Sequence, residues 1–575
     1  MSTPEASQPD APEASRSAAS KANPASAWIV TVAESGAASP AVTGRRHPAR
    51  HPKRWAWPLT WSAGLIAAGI ALYICYLHVS RTERVSSDGA SNALQAWDML
   101  HGNLLLSGWL LGHVSFYTTE LPEYMLVEAI RGLSADALHV SAAITYTLLV
   151  LVAGLLARGR ATGCEGVVRM LIAAGIMVAP QLGPGVFILV FQPDHVGTQV
   201  PLLATWLVLG RAPRSWYVPI VVGVMLAWTE AADSFAVLVG AVPLGVVAGV
   251  RAYQALVQRR EPIRSGWFNL SLVAAAGLSV AAASVAEKLI GDHGGYSVLA
   301  VPTGLAKTSM MPAHMWLAVE GVLGVYGADF FGLTFGLAAG IALLHLAGVA
   351  LAAWGLWLVI RRFFSFDDLI AQVLALSIII TLAAYLFSTI PTTYYSARYL
   401  AGVLTGGAVL AGRTLAGRLM TARLVPAMAV VLVAYLAALG YTVSQPSVPA
   451  VSQDLADWLT AHHLDYGLSS YGLANTTTLA SGGVVDLRPV VWQGNDAYAG
   501  PSGFQQAWYN PVSHDANYVV LLSTPAPIDW IAESQVRDSF GRPAHTYDFK
   551  KYVIMTWNEN LLTAVSPTAP PPAGS

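Results

Sequence analysis

Long apolar runs alternate with short polar loops over most of the chain. The runs near 58–79, 138–157, 168–191, 268–290, 333–360, 369–390 and 424–444 are long enough to predict membrane-spanning helices. Shorter runs near 198–210, 217–229, 234–250 and 396–412 raise the expected number to about eleven. Two connections are long. The first, 80–137, contains an amphipathic stretch from Ala93 to Leu106 and an aromatic one from Trp109 to Tyr117, both suited to a membrane interface. The second, 291–332, includes VPTGLAKTSMMPAHMWLAVEGVLGVYG and predicts a partly helical, re-entrant loop.

From about residue 445 the pattern changes to that of a soluble domain. Ser452–Leu464 predicts a capped helix with Leu455, Trp458 and Leu459 at helical spacing. Val484–Trp492, Asn517–Leu522 and Tyr547–Trp557 are rich in valine and aromatic residues and predict strands. Pro527–Phe540 predicts a second helix, ended by Gly541. The expected fold class is thus a polytopic α-helical membrane protein with a small C-terminal α/β domain over 445–565. The segment 58–444 forms its transmembrane part. No internal repeat of the kind found in many transporters is visible. Residues 1–57, rich in Ala, Ser and Pro and ending in RRHPARHPKR, predict a disordered cytoplasmic tail. Residues 566–575 predict a second disordered tail.

Composition sharpens this picture. Of 575 residues, 54% are hydrophobic and 11% charged, against about 25% charged in soluble proteins. The net charge of −1 gives no basis for a nucleic-acid partner. The two cysteines, Cys75 in an apolar run and Cys164 in an arginine-rich loop, sit at different expected depths and imply no disulfide framework.

Charge also predicts topology. One set of loops carries Arg158, Arg160, Arg169, Arg211, Arg214, Arg251, Arg259, Arg260, Arg264, Arg361, Arg362, Arg413, Arg418 and Arg423. The alternate loops carry Asp88, Glu120, Asp194, Glu230, Asp233, Asp292 and Asp329. Basic loops stay in the cytoplasm, so the acidic loops, and with them the C-terminal domain, are expected outside.

Acids at the outer mouth of a helical bundle are the first candidates for chemistry. Asp88, in VSSDGASNALQAWDMLHGN, lies where a general base meets both water and a lipid-borne substrate. A cap on the following helix is its alternative role. Asp194 and His195, adjacent in FQPDHVG, suit acid–base partnership, substrate anchoring, metal ligation (for which one such pair is no signature) or turn closure. Glu230 and Asp233, three apart in AWTEAADSF, share one face if that stretch is helical. Glu120, in FYTTELPEY, either lines a substrate groove or is solvated. Arg398, in TTYYSARYLAG, is a cation on the acidic side, where the basic-loop rule does not put it. Among Tyr394, Tyr395 and Tyr399 it suits bidentate binding of a phosphate; an interfacial aromatic belt is the alternative. Lys307 and His314 in the second long loop are further candidates for that phosphate, with interface snorkelling and a satisfied polar contact as their alternatives.

The acid in the first outer loop, the helix and WDMLHGN text after it, Asp194, and the Arg398–Tyr399 pair at a late helix start together resemble the GT-C superfamily of membrane glycosyltransferases. Protein O-mannosyltransferases and the aminoarabinose transferases of lipid A belong to it. The resemblance covers about 58–444 as architecture. It implies transfer of a sugar, with inversion, from a polyprenyl-phosphate carrier to a hydroxyl of a cell-envelope glycan, lipid or protein. It implies Asp88 as base, Arg398 and Tyr399 with Lys307 or His314 at the carrier phosphate, and Asp194, His195, Glu120, Glu230 and Asp233 around sugar or acceptor. Family members often carry a second acid beside the first. Here Gly89 follows Asp88, which weakens a metal-dependent version; no cofactor is expected, and a divalent metal is left open without support. The Ala-rich, Arg-over-Lys composition resembles that of actinobacterial proteins. Two other classes fit the same residues: a flippase for a lipid-linked sugar, and an assembly protein acting through the C-terminal domain. In that domain Trp458, Trp492, Trp508, Trp530 and Trp557 either stack on sugars or pack the core.

Overall fold

A computed structural model describes residues 56–299, 304–421, 423–500, 502–524 and 531–567. The expected tails fall almost wholly outside these residues. Among the described residues, eight helices are long and apolar enough to cross a membrane. They are Trp61–Ser80, Ala135–Arg158, Val237–Gln258, Ile263–Asp292, Leu337–Ile360, Leu369–Phe387, Tyr394–Leu419 and Val425–Val443. Three shorter helices, Gly163–Met177, Gln199–Arg211 and Tyr217–Ala232, pack among them. The chain is thus a multi-pass α-helical membrane protein.

One expected span is broken. The run 168–191 is helical only to Met177 and resumes at Pro184–Leu189. Pro180 and Pro184 each remove a backbone donor, and Gly183 sits at φ +77°, where the helix cannot continue. Gln181 fills the gap by exchanging two hydrogen bonds with the backbone of Asp329.

The arginine loops gather at one end of the bundle. Arg160 donates to the carbonyl of Ala212, Arg211 to that of Leu155, Arg251 to that of Phe366, and Arg413 to that of Leu156. Arg413 also pairs with Asp368 at 2.6 Å. Side chains that meet loop carbonyls there satisfy helix C-termini with the charge those ends prefer.

The other end carries the long connections and the C-terminal domain. In the first connection, helices span Ser87–Leu100 and Glu120–Arg131. The first begins well before the expected Ala93, because Ser86 caps it: its Oγ accepts from the Gly89 N–H at 3.2 Å. Asp98 closes the turn beyond this helix by accepting from Asn103 and from the Trp109 indole, each at 2.7 Å. In the second connection, helix Met311–Val325 follows a short turn. A three-stranded sheet stitches these parts together. Its central strand, Trp109–Leu111, pairs in parallel with Ser297–Val298 and antiparallel with Phe504–Gln505 of the C-terminal domain. Trp109 meets Trp508 edge-on across that junction.

The C-terminal domain is built on a seven-stranded mixed sheet. Tyr466–Ser469 is central and parallel to Asp486–Gln493 on one side and to Tyr518–Leu522 on the other. The expected strand 547–557 is a hairpin, His545–Phe549 and Tyr552–Thr556, turned at Lys550. Ser452 sits at φ +62° and makes no capping bond, so the helix Gln453–Ala461 starts without the expected cap. The second helix is shorter than expected at Glu533–Phe540; residues 527–530 lie outside the described residues. The strands Tyr466–Ser469 and Asp496–Ala499 and the helix Tyr471–Ala480 were not predicted. Val565–Ser566 pairs with Ala497–Tyr498, so ordered chain reaches past 565. Helices Gln453–Ala461 and Tyr471–Ala480 cover one face of the sheet, with Leu455, Leu459, Leu473 and Ala474 against Leu487, Val520 and Ile554. Trp557 lies in the core of the other face, Trp508 packs on Arg488, and Trp492 bonds Ser539. Trp530 lies outside the described residues. Cys75 and Cys164 are both free.

Candidate functional site

Asp88 occupies the first turn of helix Ser87–Leu100, where helix geometry favours an acid. Since Ser86 caps the helix, the Asp88 carboxylate is left to face the bundle. Its Oδ2 lies 3.5 Å from Arg398 Nη1. Its Oδ1 accepts from the Tyr471 hydroxyl at 3.2 Å. The Asp88 side chain keeps 44% of its exposure and that of Arg398 19%, so the acid is the more open to water of the two.

Arg398 is held by the 3₁₀ turn Tyr394–Leu400 ahead of helix Ala401–Leu419. Its guanidinium lies over the Tyr395 ring at 4.0 Å and near the Tyr399 ring at 5.6 Å. Aromatic faces stabilise a cation removed from water. Its Nε donor is buried with no hydrogen-bond partner among the described residues. A buried unpaired donor on a cation is costly unless an anion completes it.

Asp194 lies in the turn between Pro184–Leu189 and Gln199–Arg211 and is 3% exposed. Asn92 Nδ2 donates to its Oδ1 at 3.0 Å and Gln192 Nε2 to its Oδ2 at 2.8 Å. Gln192 also bonds the Tyr395 hydroxyl at 2.7 Å and accepts from Ser86. Burial first, and the neighbouring Asp88 charge second, push the Asp194 carboxyl up to about 7. A Cβ at Gly89 would lie 2.7 Å from Gln192 Oε1, so glycine after Asp88 lets this network close on the helix.

His195 and Asp233 form the next pair. His195 Nδ1 lies 2.8 Å from Asp233 Oδ2, and both side chains are nearly inaccessible. An ionised Asp233 assigns the ring proton to Nδ1. Burial lowers the His195 pKa against the pull of Asp233. The His195 backbone sits at φ +63°, a strained conformation for a residue with a Cβ. Its ring packs on Tyr399 at 4.5 Å, which links the pair to Arg398. Glu120 backs the same turn: Thr198 donates to its Oε1 from both N–H and hydroxyl at 2.9 Å, and Thr119 bonds its Oε2. Burial pushes Glu120 up to about 8.

The structure therefore brings Asp88, Asp194, His195, Asp233, Glu120, Arg398 and Tyr399 into one connected cluster. The remaining candidates lie apart. Helix Tyr217–Ala232 ends before Asp233, so Glu230 and Asp233 do not share a helical face as expected: Glu230 accepts from Ser279 while Asp233 turns to His195. His314 is buried against the Leu386 carbonyl at 3.1 Å, and Lys307 is exposed at the start of the turn before it. No contact links either to Arg398 among the described residues.

Four cluster members escaped the sequence reading. Asn92 follows Asp88 by one helical turn and Gln192 precedes Asp194 by two residues, a spacing signal readable once those acids are chosen. Tyr395 was noted only as a neighbour of Arg398. Tyr471 carried no signal, because 383 residues separate it from Asp88.

Fold and site together define a multi-pass membrane protein with an acid–arginine cluster at one bundle end, closed over by a C-terminal α/β domain. Among solved structures the chain is similar to the oligosaccharyltransferase of Archaeoglobus fulgidus, crystallised with a disulfide-tethered acceptor peptide containing the NVT sequon. The similarity covers 79% of this chain and 69% of that one at 13% identity, with a TM-score of 0.44. No protein-family model and no curated protein sequence matches the chain.

Proposed function

We propose that the protein is a membrane glycosyltransferase of GT-C type that moves a sugar from a polyprenyl-phosphate carrier to an acceptor hydroxyl outside the cytoplasm. The observation that carries this reading is the meeting of a water-accessible carboxylate, Asp88, with the half-buried guanidinium of Arg398 at 3.5 Å. Asp88 takes the proton of the acceptor hydroxyl as its oxygen bonds the anomeric carbon. The bond from that carbon to the carrier phosphate breaks, and the phosphate leaves with the electron pair. Arg398, with its unpaired Nε, stabilises the charge that develops there. Attack and departure on opposite faces invert the anomeric centre. Asp194, His195 and Asp233 orient hydroxyls of sugar or acceptor.

A groove supports the lipid half of this reading. It has a volume of about 800 Å³ and runs between helices Tyr217–Ala232 and Ile263–Asp292. Trp216, Ile220, Val224 and Ala227 line one wall and Leu278 and Ala282 the other. Sixteen residues of helix give it a length of about 24 Å, enough for an extended isoprenoid segment. Its end at Ala231 lies two residues before Asp233, so an apolar tail there leads to the cluster.

The test is a deletion strain complemented with wild type or Asp88→Asn, followed by mass spectrometry of envelope glycans and glycoproteins. A glycan restored by wild type and reduced at least about 100-fold in the variant is expected. Equal restoration by both would remove Asp88 from the chemistry.

A further inference from the structure

The C-terminal domain presents a particular end of its sheet to the cluster. Its central strand, Tyr466–Ser469, leads through helix Tyr471–Ala480 to the neighbouring strand on one side, and the chain later reaches Tyr518–Leu522 on the other. The chain order therefore reverses between Tyr466–Ser469 and Tyr518–Leu522. In open parallel sheets the crevice outside the carboxyl ends of such strands is where ligands are held. Tyr471 is the first residue of the helix that starts there, and its hydroxyl meets Asp88 Oδ1.

Three separate segments enclose that hydroxyl. Asp88 and Ser91 come from one helix, Tyr471 from the second, and Gly503 from the loop after Asp496–Ala499. Ser91 Oγ donates to the Gly503 carbonyl at 3.2 Å. A Cβ on Gly503, at φ +67°, would lie 3.0 Å from the Tyr471 hydroxyl and 2.7 Å from Ser91 Oγ. Two turns along the same helix, Leu479 packs among Ala90, Ala93 and Leu138. The contact is built: apolar packing fixes the helix, and a glycine keeps room for the phenol.

We infer that Tyr471 is a positioning residue for Asp88, so that the C-terminal domain completes the transfer site instead of standing beside it. This rests on the reading of Asp88 as the base. The phenol donates to Oδ1 while Arg398 faces Oδ2, which holds the carboxylate plane fixed between two elements distant in sequence. Each oxygen retains a lone pair for the acceptor proton. Burial, and the adjacent Asp88 charge, push the phenol well above its ordinary value, so it remains a donor throughout the working range. A donor to a carboxylate favours the ionised form over the neutral one.

The experiment uses Tyr471→Phe, which keeps the ring and removes the donor. The full-length protein is assayed in membranes of the deletion strain, where the host's own polyprenyl-phosphate sugars and acceptors are the substrates. The product followed is the glycan that wild type forms and the deletion membranes lack. Arg398, Asp194, His195, Tyr395 and Tyr399 also face Asp88 electrostatically and are common to both proteins. The variant's rate should show its acid limb moved up by about one pH unit, a loss of about tenfold on the acid side that recovers on the alkaline side. Gly503→Ala should shift the limb the same way, and the double variant should be no worse than Tyr471→Phe alone. An unmoved acid limb in Tyr471→Phe, with Asp88→Asn inactive, would overturn the role of Tyr471 and leave the base in place. Full transfer by Asp88→Asn would overturn both.

Discussion

At the scale of single residues, the site sets charged groups against burial, and Glu120 tests that balance most directly. Its carboxyl is removed from water, held by two bonds from Thr198, and raised from 4.5 to about 8. A raised folded-state pKa means that the fold favours the neutral acid. The stability this contributes is fully present below pH 4.5 and is lost as pH rises through about 8. Glu120→Gln imitates the neutral form, so its thermal midpoint should fall less than that of wild type between about pH 5 and 8. Parallel curves for the two proteins would mean that Glu120 is ionised in the fold. Asp88, Asp194 and Arg398 were legible in the sequence because a charge inside apolar text stands out. Gln192, Asn92 and Tyr471 were not, because neutral polar residues carry no such contrast. Lys307 and His314 stood out equally, yet packing of the second connection kept them apart from Arg398.

At the scale of elements, the pattern located the helices well and their interruptions poorly. The run 168–191 is apolar throughout, but Pro180, Gly183 and Pro184 divide it. Hydropathy averages over a window and does not register a missing backbone donor. The short helix Pro184–Leu189 that follows the break leads into the buried turn where Asp194 and His195 sit, so the site depends on it. The groove between Tyr217–Ala232 and Ile263–Asp292 is likewise a property of two helices and of neither alone. Ala227 lines its middle. Ala227→Trp should raise the KM for a long-chain carrier several-fold with kcat nearly unchanged, and leave a short-chain analogue almost unaffected. Such a change removes uniform binding of the tail without touching the transition state. Equal effects on both carriers, measured as KM and kcat, would place the isoprenoid elsewhere.

At the scale of the molecule, the arginine loops gather at one end and the acid cluster with Arg398 at the other, which makes orientation testable with one native cysteine and one introduced. Cys164 is exposed in an arginine loop, and Val512, 93% exposed, lies in the C-terminal domain. In intact cells a membrane-impermeant maleimide should label Val512→Cys and spare Cys164 until the membrane is opened. Labelling of Cys164 in intact cells would invert the topology and put Asp88 on the cytoplasmic side.

The sequence by itself determined that the chain crosses a membrane repeatedly, that arginine and acid take opposite ends, and that an α/β domain follows the last span. Those features depend on local composition and on hydrophobic periods, which each stretch carries alone. Only the tertiary structure decided which acids meet which cation and that Glu230 stands away from Asp233. It also decided that a phenol near residue 470 reaches a carboxylate near residue 90. Such meetings depend on sheet order and on helix packing between segments far apart in the chain, and side-chain spacing along one segment holds no record of them.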